Sequence, residues 1–276
     1  MKKAAISAVV LCLALLSSSL LAAKQKEQKA ADGKVWDSGS FGIFVNGKRV
    51  GTEKFKIQQH GDSSVTTSEL KMQQGTYKAS QKSEMDLARN GDLQSYTWES
   101  SQPKKEECKV DTKDQLLVEH ITPADQKPLD IQHLLPASTA ILDDNFFSQR
   151  EVLLWHYLSA CSRTANQLAC KPATFPVLVP QQHISVDATL KLLAPEKVSA
   201  NGIEQEMNKV ELALHSPQQV VWMNDKGKDS ELRWVLWVDE NYRIVKITVN
   251  NSNVEIVRDG GSSPVSVGAL ATAPRK

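Results

Sequence analysis

Apolar and polar residues alternate along "SFGIFVNGKRVGTEKFKI", residues 40–57; the alternation breaks at Asn46-Gly47 and then resumes. Side chains on a strand point alternately to opposite faces, so Phe41, Ile43 and Val45 share one face. On the return strand Phe55 and Ile57 share a face, in phase with Gly51 and Glu53. The pattern predicts a hairpin. A two-residue loop would pair Ile43 with Val50 and throw the two apolar sets to opposite sides. A three-residue loop, Asn46-Gly47-Lys48, pairs Ile43 with Gly51 and unites them, and register follows the buried face. The longer loop is therefore expected, with Gly47 supplying a positive φ. Gly51 then leaves a gap opposite Ile43, where a sheet can bend.

The same alternation continues through "SSVTTSELKM", "TYKASQKSEMDLA", "LQSYTWESS", "EECKVD" and "QLLVEHIT", with turn signals at "QQG", "NGD" and "TKD". This reads as an antiparallel meander, and its Ser and Thr content leaves one face of several strands wet. A long irregular connection, "PADQKPLDIQHLLPASTAILDDN", interrupts it. The period then changes in "SQREVLLWHYLSAC", where Ser148 and Glu151 match a capping box and Phe147 with Val152 match a hydrophobic staple. A helix is expected from about Gln149 to about Cys161, with Leu154, Trp155, Leu158 and Cys161 along one face.

Strand patterns return with "FPVLVP", "HISVDATLKLLA", "EQEMNKVELALH", "QQVVWMND", "ELRWVLWVDENYRIVKITV" and "VEIVRD". In "LRWVLWV" the residues Leu232, Trp234, Leu236 and Val238 face one way, and Val235 and Trp237 the other. A strand that is apolar on both faces needs cover on both. The expected fold is all-β, mainly antiparallel: a strongly curved sheet or open half-barrel with one covering α-helix.

The ends of the chain read differently. Lys2 and Lys3, the apolar run Ala4–Leu16 and the small residues before Lys24 predict a cleaved signal peptide over residues 1–23. Residues 24–34 read as a flexible polar leader, 35–258 as a single antiparallel β domain, and 259–276 as a disordered Gly/Ser/Ala/Pro tail. The expected location is periplasmic or secreted. The chain has 33 basic and 32 acidic residues, so losing Lys2 and Lys3 leaves 31 and 32. That near-neutral balance, with no basic stripe, argues against nucleic acid. With Cys12 in the signal segment, Cys108, Cys161 and Cys170 remain. Cys161 and Cys170 are expected to bridge in an oxidising compartment, tying the helix end to the strand that starts near Phe175.

No catalytic motif is present: no G-x-S-x-G, H-E-x-x-H, phosphate loop or S-x-x-K. The six histidines are scattered. His156 lies on the helix beside Trp155 and reads as a packed or surface residue. Asp143 and Asp144, just ahead of the helix, read as partners for its positive end. The aromatic residues carry the stronger signal. Trp98, Trp155, Trp222 and Trp234, with Leu158, are the candidate lining of an apolar site. No metal ligand and no cofactor is expected, and the chain is read as a non-enzyme.

In order, "NGKRVGTEKFKI", the meander, "ILDDNFFSQREVLL", "FPVLVP", "NGIEQEMNKVELAL" and "VVWMND…LRWVLWVDENYRIVKITV" resemble a group of uncharacterised exported bacterial proteins. Their sheet is similar to the incomplete barrel of the LolA/LolB lipoprotein carriers. The resemblance spans most of residues 35–258 and implies a half-barrel with a helix across its concave side; it carries over no catalytic residue. Together these readings predict a periplasmic binding or carrier protein for a lipid or other apolar ligand. A structural or interaction module of the cell envelope, with a peripheral contact there and no ligand cavity, is the alternative. Nothing in the sequence specifies an oligomeric state.

Overall fold

The structure, a computed structural model, describes residues 33–164, 167–200, 203–215 and 232–260. The expected signal segment, the strand expected around Trp222 and nearly all of the expected tail lie outside these residues.

Eight strands form the first half: β1 (Lys34–Val45), β2 (Lys48–His60), β3 (Ser63–Gln74), β4 (Tyr77–Ala88), β5 (Leu93–Gln102), β6 (Glu106–Lys113), β7 (Leu116–Pro123) and β8 (Leu129–His133). The connection then contributes the two-residue β9 (Ala140–Ile141) and helix α1 (Phe147–Ser159). A small hairpin follows, β10 (Ser162–Thr164) with β11 (Gln167–Ala169). The second half contains β12 (Ala173–Val179), β13 (Ile184–Ala200), β14 (Ile203–His215), β15 (Leu232–Val238), β16 (Ile244–Val249) and β17 (Val254–Arg258).

All but β10 and β11 join one 15-stranded sheet, in the order β8 to β1 and then β17 to β12, ending on β9. The first and last strands meet at its centre, where Phe41 pairs with Arg258 and Ile43 with Ile256. Its edges, β8 and β9, do not pair, so the curved sheet stays open. The fold class expected from the alternation is the one observed.

The alternation that predicts the strands also locates the core. Phe41, Phe55, Ile57, Leu70, Tyr96 and Val110 belong to one buried cluster, together with α1 residues Leu153, Leu154, Tyr157 and Leu158. On β15, Trp234, Leu236 and Val238 are buried in that cluster. Trp237 points the other way and joins Val245 over a separate small cluster of Val198 and Met207. The double-sided strand is thus explained by a satellite cluster on its outer face.

The first hairpin departs from expectation. Its loop is Asn46-Gly47 alone, with φ of 52° and 74°. Two successive positive φ values are the mark of a tight turn that matches strand twist. Even so, the Phe41 and Phe55 rings stack with centroids 5.1 Å apart. A two-residue turn with both rings on one face requires one extra residue in the ladder between them. Val50 and Gly51, adjacent yet both buried, are where such an irregularity fits. A Cβ on Gly51 would sit 2.5 Å from Met72 Cγ, so the sheet closes tightly there.

Candidate functional site

Helix α1 begins two residues earlier than expected, and its capping differs. Phe146 is the N-cap and makes no side-chain cap bond. The cap comes from across the fold. Glu53 on β2 is fully buried, accepts the Phe147 N–H at 2.6 Å and accepts the Ser148 hydroxyl at 2.7 Å. Ser68 of β3 donates to the same carboxylate at 2.8 Å. The first N–H groups of a helix have no partner within it, and a carboxylate there also meets the positive end of the helix dipole. Burial raises the Glu53 pKa, against the hydrogen bonds from Ser148, Ser68 and the backbone.

The rest of the first turn also faces inward. Arg150 is 2% exposed; its Nη1 donates to the carbonyls of Asp143 at 2.8 Å and Phe146 at 3.0 Å. Its guanidinium lies 3.6 Å from the centroid of the Trp234 ring. A cation over an indole face gains more when desolvated. Burial pushes Arg150 down to about 9, with Asp144, Glu53 and Asp143 pulling the other way. Glu151 accepts the Ile244 N–H at 2.9 Å and pairs with Arg258, which also meets Asp37 at 3.0 Å. Burial drives Glu151 well up, and the charge of Arg258 opposes it.

Ser148 and Glu151 are therefore tertiary anchors rather than a reciprocal capping box. The Asp143 carboxylate does not cap the helix N–H groups either, although the Asp143 N–H and carbonyl bond the first-turn side chains of Gln149 and Arg150. It accepts from the Tyr96 hydroxyl and from the Gln181 N–H at 2.8 Å. Burial pushes Asp143 up to about 7, opposed by the bonds from Tyr96 and Gln181. Asp144 accepts from Gln182 at 2.6 Å. Buried ionic groups that lose one partner are costly, so this network fixes the position of α1.

With its first turn locked down, α1 leaves its second half beside the far ends of β1 to β4. A cleft of about 460 Å³ opens there. Its apolar lining is Trp36, Leu87, Val152 and Trp155; Asp62 and Asn90 are among its polar residues. Trp155 is held in place by a 2.7 Å bond from Nε1 to the carbonyl of Tyr242. Trp36 Nε1 is buried without an acceptor. Small-ligand sites have volumes of about 300–1,000 Å³, and the cleft falls in that range.

The residues expected to line a site separate on folding. Trp155 lines the cleft. Trp98 on β5 and Leu158 on α1 are buried in the main core, and Trp234 lies beneath Arg150. Trp222 lies outside the described residues. Trp36 and Leu87 carry no signal in the sequence, and Val152 is read there only as the staple partner of Phe147; Trp36 sits near the start of β1, next to the polar leader.

Cys161 and Cys170 form a disulfide with Cα atoms 4.6 Å apart, closing the β10–β11 hairpin, and Cys108 is a buried free thiol. Two of the scattered histidines come together: His133 Nε2 lies 2.9 Å and His183 Nδ1 3.4 Å from the same oxygen of buried Glu119. Among the described residues, no three side chains of His, Cys, Asp and Glu are placed to hold a metal ion.

No protein-family model matches the chain, and no curated protein does. Among solved structures it is similar to the crystal structure of a beta-barrel-like protein of domain of unknown function DUF1849 from Brucella abortus. The two are 11% identical with a TM-score of 0.48, over 81% of this chain and 96% of that one.

Proposed function

We propose that this chain is an exported, non-catalytic binding or carrier protein for a small lipid or other apolar molecule, held in the cleft beside α1. The observation that carries the reading is the cleft itself. It has two tryptophans and two aliphatic side chains for the apolar part of a ligand, and polar groups in the same lining for its head. Residues Leu153, Leu154, Tyr157 and Leu158 of α1 pack into the main core, so the ligand volume proposed is that of the cleft beside the helix. The signal-like segment at 1–23 supports an extracytoplasmic setting. The test is gentle purification followed by native mass spectrometry and solvent extraction. A bound amphiphile at one per chain supports the reading; a chain that arrives empty and takes up no added fatty acid removes it.

A second reading, an interaction module of the envelope, draws on the opposite end of the sheet. The turns β1–β2, β3–β4 and β5–β6 lie together there, because neighbouring strands are antiparallel. Lys48, Lys71, Lys78, Lys104 and Lys105 are exposed at that end. A shallow hollow of about 470 Å³ among them is lined by Arg49, Thr52, Lys71 and Lys78. Such a surface suits an anionic partner. Salt-sensitive sedimentation with anionic vesicles, by a protein that binds no apolar ligand, would favour this alternative.

A further inference from the structure

We infer that His156 is a partition that limits how long an unbranched apolar tail the cleft accepts, so that the ligand is a single-chain amphiphile. This inference rests on the cleft being a binding site and goes one step further. A second hollow, of about 30 Å³, lies past His156 and is lined by Met85, Ile141, Leu153 and Phe175. The two hollows share Leu87, Gly91, Val152 and His156 as their common wall. Of these four, His156 is the one polar side chain.

The imidazole fits there because residue 91 has no side chain. A Cβ on Gly91 would lie 2.9 Å from His156 Nδ1, nearer than such atoms approach. On its other side the ring meets Phe175 edge-on, with centroids 5.4 Å apart. The backbone around it does not share this freedom. Trp155 is bonded to the Tyr242 carbonyl, and the Tyr157 hydroxyl accepts the Leu192 N–H at 3.0 Å. The helix is fixed on both sides of His156, while the His156 side chain is exposed and can turn by rotamer change alone. What lies beyond is lined mainly by apolar side chains, with Ser138, Thr139 and Gln149 beside them, and is only large enough for the end of an unbranched chain. A fused ring system or a second chain would not pass.

The test uses the full mature chain and the dye N-phenyl-1-naphthylamine, displaced by saturated fatty acids of increasing length. In the wild type, affinity should rise with length and then level off. In His156→Ala the plateau should move to longer acids, each additional buried methylene tightening binding about fourfold. His156→Phe restores the bulk and should return the wild-type plateau. Gly91→Ala, which crowds the ring, should weaken the longest acids that the wild type still accepts. An unchanged plateau in His156→Ala, with dye and acids still competing, overturns the partition and leaves the cleft standing. If neither dye nor acids bind the wild type, the cleft reading fails, and the partition fails with it. Should His156→Ala not fold, the Phe and Gly91 variants decide by the same plateau.

Discussion

The carboxylate of Glu53, in the second strand, caps a helix that begins 94 residues later: its Oε2 accepts the Phe147 N–H at 2.6 Å and its Oε1 the Ser148 hydroxyl at 2.7 Å. One buried acid does the work that local sequence assigned to a capping box, and it ties the helix to the sheet while doing so.

Glu53→Ala should therefore cost more than an ordinary cap. Loss of a cap costs about 0.5–2 kcal/mol, and buried donors left unpartnered add roughly 1–3 kcal/mol. Glu53→Gln keeps an acceptor and should lose less. Urea unfolding of both variants measures the difference; equal, small losses would mean that water or another group replaces the cap.

Asp143 makes stability depend on pH. Its ordinary value is 3.8 and burial pushes it to about 7 in the folded chain. Between those values the folded chain keeps a proton that the unfolded chain has lost, so stability falls as pH rises through the window. The penalty approaches about 4 kcal/mol once both forms are ionised. Glu53 and Glu151 are shifted in the same direction and steepen the trend. Unfolding free energy should be lower at pH 8 than at pH 5, and Asp143→Asn should flatten that difference. An Asp143→Asn variant with the wild-type slope contradicts the assignment.

The Cys161–Cys170 bridge closes a short loop, worth roughly 2.7 kcal/mol if the stabilisation arises from the unfolded chain. Cys161→Ser should lower the melting temperature under oxidising conditions and leave it unchanged from the reduced wild type. Peptide mapping without reductant should find Cys108 unpaired, consistent with its burial at 3% exposure. A Cys108-containing bridge would overturn this pairing.

The open antiparallel sheet was legible in the sequence because a period of two is a local property, repeated in strand after strand. The hairpin loop differs for a related reason: counting from Ile43 to Gly51 assumes an unbroken ladder, and a two-residue turn with Phe41 stacked on Phe55 does not fit one. Glu53 was visible as an acid in phase with Phe55 and Ile57, but its partner lies outside any local window. The same holds for the inward turn of Ser148, Gln149, Arg150 and Glu151, whose pattern imitates a solvent-facing helix start. Trp155 could be assigned to a site from its place on the helix. Trp36 could not, since only the curvature of the sheet brings it opposite α1. Trp98 and Trp234 show the converse: large aromatics on strands serve the core unless the backbone leaves a gap beside them.

The central claim is that the cleft beside α1 takes an apolar ligand, and one titration tests it most directly. N-phenyl-1-naphthylamine fluorescence is followed with the wild type and with Val152→Trp, which places an indole in the cleft that Trp36 and Trp155 also line. The account predicts saturable binding to the wild type with one site per chain, and at least a tenfold loss, about 1.4 kcal/mol, in the variant. Equal binding by the two proteins, or none by the wild type, would contradict it.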